Sequence, residues 1–198
     1  MSGSFRRVKR GTLLSMQVTL TWDLLIIIFF AVVMTYSFII GRNESIKVIA
    51  ASYIATITAH GIGGYIEQMS QQSHIVLTTL GFDIDTTVIL GTKLLIFVAT
   101  IVIVAVQGGL EADYEDGNTS DTFIAGILGF ATAALLLINL FTILGQLPLL
   151  DPRIATIPPL LPVAKQSLLA ATMISYQHFW FTLPALLLIV TSFIGRKE

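Results

Sequence analysis

The hydrophobic residues of this chain gather into long runs instead of alternating with polar ones, and short polar clumps separate the runs. A helix needs about 20 apolar residues to cross about 30 Å of hydrocarbon, so each run reads as a candidate membrane span. The first opens at Trp22 and Asp23, continues through 24–40 and stops at Gly41-Arg42-Asn43-Glu44. Its leading tryptophan suits the membrane interface. The second, 45–66, is less apolar and carries Ser52, Thr56, Thr58 and His60, yet Ala51, Ala55, Ala59 and Gly63 fall four apart along it. Residues at that spacing line one helical stripe, which in lipid lets another backbone approach closely. A polar stretch follows, from Glu67 to His74 and on through Gly81, Asp83 and Asp85, with an apolar patch at Ile75-Val76-Leu77. It predicts a course along the membrane surface.

The third run, 86–107, is rich in β-branched residues. That composition would suit a buried strand in water, but the length of the run and its neighbours predict a membrane helix. The fourth covers 122–144, where Ala125, Gly129 and Ala133 are again four apart and Gly126 lies beside them. Beyond Gly145 the pattern breaks up, because Pro148, Pro152, Pro158, Pro159 and Pro162 remove N–H donors and deny a continuous helix. Residues 163–177 have helix-compatible composition with a mixed face. Residues 179–194 are apolar enough to cross, although short and interrupted by Pro184, and are read as a fifth span; the alternative is a helix lying in the interface. The expected fold is all-α, a bundle of four to five transmembrane helices: a basic tail (1–21), a four-helix core (22–145), a proline-rich connector (146–162) and a C-terminal helical segment (163–198).

Composition agrees with a lipid environment. Of 198 residues 55% are hydrophobic and 12% charged, with a mean hydropathy of +0.85, whereas a soluble domain carries about 25% charged residues. The bilayer is therefore the first partner. A net charge of −1 leaves no basic field for nucleic acid, and the lack of cysteine removes thiol chemistry and disulfides. Charge instead reports topology. Arg6, Arg7, Lys9 and Arg10 precede the first run, which is too long for a signal peptide and has no small-x-small cleavage pattern after it, so an uncleaved anchor with a cytoplasmic N-terminus is expected. Three crossings then place Glu111, Asp113, Glu115, Asp116 and Asp121 outside. Arg42 and Lys47 would face outward too, against the rule, and an odd number of spans sends Arg196 and Lys197 outside as well.

The run Asp121-Thr122-Phe123-Ile124-Ala125-Gly126-Ile127-Leu128-Gly129-Phe130-Ala131-Thr132-Ala133 resembles the fourth-helix signature of the colicin V production protein (CvpA) family, in which an Asp or Asn precedes Gly-x-x-Gly and a further small residue. Trp22-Asp23 before an apolar helix, and Gly41-Arg42 after it, are similar to the family's opening helix and turn. The resemblance covers about residues 20–145. It departs at Thr132, where a basic residue is common, in the less basic turn after Gly41, and in the long proline-rich C-terminus. It implies a multi-pass protein of the bacterial cytoplasmic (inner) membrane, accessory to toxin or peptide production or export and to envelope maintenance, with secretion or envelope proteins as partners and no enzymatic chemistry. The positions carried over are Asp23 as a helix-start carboxylate, Gly41 as a turn, Asp121 as a helix N-cap, and Gly126 and Gly129 as packing sites.

Ionisable groups inside spans are costly and point to function. Lys93, some seven residues into the third run, is the most notable; it either reaches the headgroups along its stem or pairs with Asp23 across helices. His60 suits a proton or solute path, or an interhelical hydrogen bond; Asn139 suits the latter. Ala59-His60-Gly61-Ile62-Gly63-Gly64 is similar to the histidine motif of rhomboid proteases, but no Gly-x-Ser-Gly partner supplies a nucleophile. Asp83 and Asp85 alone make a weak cation site. No catalytic, metal or cofactor constellation is expected. Two readings remain: an accessory membrane protein in which the small-residue stripes matter and the ionisable groups do not, and a subunit of a small oligomeric transporter or channel in which Asp23, His60 and Lys93 line one cavity. A homo-oligomer through the 51–63 or 125–133 stripe suits either.

Overall fold

A computed structural model describes residues 21–79, 86–107, 119–150 and 165–194. Those residues form an all-α bundle: α1 (Trp22–Thr79), α2 (Thr86–Gln107), α3 (Thr119–Leu144), α4 (Leu168–Ser175) and α5 (Gln177–Ile194). The basic tail, the Asp83 and Asp85 loop, the acidic residues 111–116, the Arg196-Lys197 stop and most of the proline-rich connector lie outside the described residues.

As a straight rod, the 58 residues of α1 would reach about 87 Å, nearly three bilayer cores. The helix is instead folded back at Gly41, whose φ of 79° and ψ of −174° belong to a region essentially restricted to glycine. Contacts with α3 fix the direction of each limb. Ser37 Oγ reaches the Ala125 carbonyl at 2.9 Å and the Phe30 ring lies 5.2 Å from that of Phe130, so the first limb runs antiparallel to α3. Thr56 Oγ1 lies 2.8 Å from Asn139 Oδ1 while Ser45 Oγ sits 2.5 Å from Ser37 Oγ, so the second limb runs parallel to it. Two spans are thus joined by one glycine and no loop. The polar stretch from Glu67 onward, expected along the membrane surface, instead continues the second limb as helix to Thr79. Between Tyr65 and Thr79 there is no glycine or proline to stop it.

α2 matches the expected third run and packs antiparallel on the second limb, with Lys93 beside Glu67 and Phe97 against Ala55 and Ala59. α3 is the axis of the bundle: 72% of its apolar window is buried, against 11% for α1 and 6% for α2. α3 begins at Thr119, so Asp121 lies within the first turn and not at the N-cap the resemblance implied; its side chain is outside the described residues.

At the C-terminal end α4 and α5 meet at Tyr176 with a bend of 72°. α5 then descends along α3 and the second limb: Gln177 touches Thr142, Tyr53 bonds the Phe181 carbonyl, and Arg42 reaches Thr191. Its 18 residues, about 27 Å, therefore cover the depth of the other helices. Pro184 deprives the Trp180 carbonyl of its usual helical donor, and the Tyr53 hydroxyl donates to the next carbonyl, Phe181, as expected where helix-breaking residues are tolerated in lipid. Among the described residues three helices are long and apolar enough to cross a membrane, or four if the bent α4–α5 pair is one span. Because α1 holds two limbs, the bundle has four to five membrane-length helices.

Close approach sets this geometry. A Cβ on Gly129 would stand 2.5 Å from Ser37 Cβ and 3.4 Å from the Met34 Cα, and one on Gly126 would stand 2.8 Å from the Phe38 ring. Gly64, in contrast, has nothing within 4 Å. Gly129→Val is therefore expected to destabilise the bundle by about 1–3 kcal/mol through overpacking, while Gly64→Ala is neutral or stabilising by up to about 1 kcal/mol from helix propensity. Thermal unfolding in detergent checks both; an unchanged Gly129→Val midpoint contradicts the packing of the first limb on α3.

Candidate functional site

Every small residue of the two stripes is buried. Ala51, Ala55 and Ala59 are fully enclosed, with Ala55 and Ala59 set against Phe97 of α2 and Ile143 of α3. The aliphatic stem of Lys93 lies over Gly63. On α3, Ala125 offers its carbonyl to Ser37, Gly126 and Gly129 receive the first limb, and Ala133 is fully enclosed. Both stripes are consumed within one chain. The homo-oligomer interfaces expected there would require the bundle to open, because the same faces close the hairpin of α1 on α2 and α3.

Between these stripes runs a seam of buried polar side chains. Ser37 and Ser45 share a hydrogen bond beside the Gly41 turn, and Ser45 also donates to the Gly41 carbonyl at 2.8 Å. Further along, Thr56 Oγ1 lies 2.7 Å from its own Ser52 carbonyl and 2.8 Å from Asn139 Oδ1, so its single proton serves one acceptor at a time. Asn139 Nδ2 donates to the Leu135 carbonyl at 2.9 Å. One turn on, Gln177 Nε2 donates to Thr142 Oγ1 at 2.9 Å, tying α5 to α3. Gln177 is wholly buried and its Oε1 has no partner. Such bonds hold helices in lipid, where burial of apolar surface gives no net attraction between them.

The ionisable residues are dispersed. Asp23 Oδ1 accepts from Ser167 Oγ at 2.5 Å and from the Leu169 amide at 3.2 Å, so the carboxylate that opens α1 also caps α4. Trp22 Nε1 donates to Gln166 alongside. Lys93 Nζ lies 3.0 Å from Glu67 Oε2. Of the two sequence readings of Lys93, the Asp23–Lys93 pair does not form, because Lys93 has a nearer carboxylate on the helix it packs against. His60 Nδ1 sits 2.9 Å from the Thr56 carbonyl of its own helix. Asp23, His60 and Lys93 thus have separate local partners.

Arg42 was read from the sequence only as part of a turn and as a charge on the wrong side. The residue is buried, and its guanidinium donates to the Thr191 carbonyl at 3.0 Å, in the last turn of α5, where a cation favours the helix dipole. That contact gives the charge an internal role. Gln177, Thr142 and Ser37 were also missed; for Thr142 and Ser37 the signal was a polar residue inside an apolar run, the same signal that marked Asn139, whereas Gln177 lies in the mixed segment before the last run and had none. Among the described residues no group of three or more His, Asp or Glu side chains could hold a metal ion. Compared with protein-family models, curated proteins and solved structures, the chain finds no match.

Three substitutions test the seam by thermal unfolding in detergent. Breaking the Thr56–Asn139 bond by Asn139→Leu should show a coupling with Thr56→Val of about 0.6–1.7 kcal/mol in a double-mutant cycle. Gln177→Leu removes an orphaned acceptor together with the bond to Thr142, so the two effects oppose and the change is expected to stay within about 1 kcal/mol; a loss well beyond what that one bond contributes would mean that its Oε1 is satisfied in the folded protein.

Proposed function

We propose that this chain is a non-enzymatic accessory protein of the bacterial cytoplasmic membrane, CvpA-like in role, which supports peptide or toxin production or export and the upkeep of the envelope. The observation that carries this reading is the distribution of polar side chains: the buried ones join helix to helix, and Asp23, His60 and Lys93 are each engaged locally instead of converging on one cavity. A protein whose polar residues serve to hold a bundle together acts by presenting surfaces to lipid and to other membrane proteins. The glycine pair at Gly126 and Gly129, which carried the family resemblance in the sequence, has a structural task at the tightest contact between α1 and α3. The N-terminus lies on the cytoplasmic side in this reading, placing the turn at Gly41 and the segment 108–118 outside.

One observation favours the transporter alternative. The α4–α5 pair is bent by 72°, and Gln177, the first residue beyond the bend, carries a buried acceptor with no partner. Discontinuous helices with polar groups at the break form substrate sites in secondary transporters.

Complementation of a deletion strain separates the readings. Secretion of a peptide toxin and resistance to detergent stress should be restored by Lys93→Met and His60→Ala at near wild-type level, but not by Gly129→Val. Loss of complementation by the first two, together with ion or solute flux through the purified protein in liposomes, would replace the accessory role with transport.

A further inference from the structure

The 8 residues of α4 rise about 12 Å, far short of the roughly 30 Å of hydrocarbon in a bilayer. The helix is bent by 72° from α5, which runs along α3, so it lies across the bundle axis. Both of its ends are tied to the ends of long helices. Asp23, in the first turn of α1, accepts from Ser167 and from the Leu169 amide; Gln177, just beyond the Tyr176 C-cap, donates to Thr142 in the last turn of α3. Membrane-length helices end where hydrocarbon gives way to headgroups, and α4 is held at that boundary. We propose that the outward face of α4 is a docking surface for the phospholipid headgroup layer, with Leu168 and Leu169 seated among the uppermost acyl carbons.

The residues of α4 sort into two faces at helical spacing. Ala170, Met173 and Ile174 are buried and belong to the cluster that holds Ile26, Ile138 and Leu147. Leu168, Leu169, Thr172 and Tyr176 are exposed, Leu168 to 78% and Tyr176 to 63%. An aromatic ring stands at either end of this outward face. Trp22, itself 41% exposed, donates from Nε1 to Gln166 just before the helix, and Tyr176 closes its C-terminal end. Lys165 is exposed beside the Ser167 N-cap.

These residues select one surrounding. Bulk water would leave two adjacent leucines and two aromatic rings unburied. The hydrocarbon centre would strip water from Lys165 and from the Asp23 carboxylate, at high cost. A stable protein interface takes about 20–30 residues a side, and the outward face of α4 presents four. The interface layer accepts all of them at once: leucines in the upper acyl region, Trp22 and Tyr176 at the level where amphipathic rings gather, and the Lys165 ammonium against lipid phosphate.

The chain has no cysteine, so one introduced thiol reports alone. The test places a nitroxide label on Leu168→Cys, on Thr172→Cys and, as a reference, on Val98→Cys at the middle of α2, where the side chain is exposed. Each full-length chain is reconstituted in phosphatidylcholine liposomes, and collisions of the label with oxygen and with a water-soluble nickel chelate give its depth. Both α4 labels are expected about 5–10 Å below the headgroup boundary, with the Val98 label deeper than either. Two α4 positions keep the test decisive where one label disturbs the helix. In chains of native helix content, α4 labels as open to nickel as a label in water overturn the proposal. So do α4 labels as deep as Val98, which make the α4–α5 pair a re-entrant segment, and labels shielded from both reagents, which mean a protein cover.

Discussion

Everything in this bundle depends on how near the first limb of α1 can come to α3. Within hydrocarbon, helices gain nothing from hiding apolar surface from one another, so contact must come from dispersion at short range and from hydrogen bonds that are strong when water is absent. Gly126 and Gly129 make the short range available: the Phe38 ring and Ser37 occupy the space that their side chains would fill. With Ser37 that close, its hydroxyl reaches both the Ala125 carbonyl and Ser45, and the reversal at Gly41 is pinned to the axis helix. The second limb is then delivered parallel to α3, where its alanine stripe meets Phe97 and Ile143.

The remaining elements are attached by polar clasps at the ends of helices. Asp23 caps α4 through Ser167 and the Leu169 amide, Gln177 ties the start of α5 to Thr142, and Arg42 meets the last turn of α5 at Thr191. Each clasp satisfies backbone or side-chain groups that would otherwise be stranded in a medium without water. Placing a carboxylate at a helix start and a guanidinium at a helix end also follows the sign of the helix dipole. The same logic makes Gln177 Oε1 conspicuous, since no donor reaches it among the described residues.

The candidate residues of the sequence divide by the kind of force they feel. Ala51, Ala55, Ala59, Gly63, Ala125, Gly126, Gly129 and Ala133 were legible as packing sites, because their spacing defines a helical face whatever that face touches. Asn139 was legible as interhelical glue for a similar reason. For Asp23 and Lys93 the sequence left the partners open: it shows that both lie near span ends, but not that Glu67 stands near Lys93, or that a short helix after the prolines brings Ser167 to Asp23. Arg42 was counted by its charge alone, and its engagement with Thr191, 149 residues away, has no local signature.

Hydropathy alone determined that the chain is helical, that it belongs in a bilayer, and where the third and fourth helices lie, because a backbone in hydrocarbon must satisfy its own hydrogen bonds and needs a length set by the bilayer. It could not determine that Gly41 joins two limbs without a loop, that the polar stretch after Glu67 remains helical, or that the small-residue stripes close on their own chain. Those outcomes depend on which surfaces meet, and a run of apolar residues specifies a solvent without specifying a neighbour. Only the tertiary structure, by bringing Ser37 to Ala125, Thr56 to Asn139 and Gln177 to Thr142, decided the neighbours.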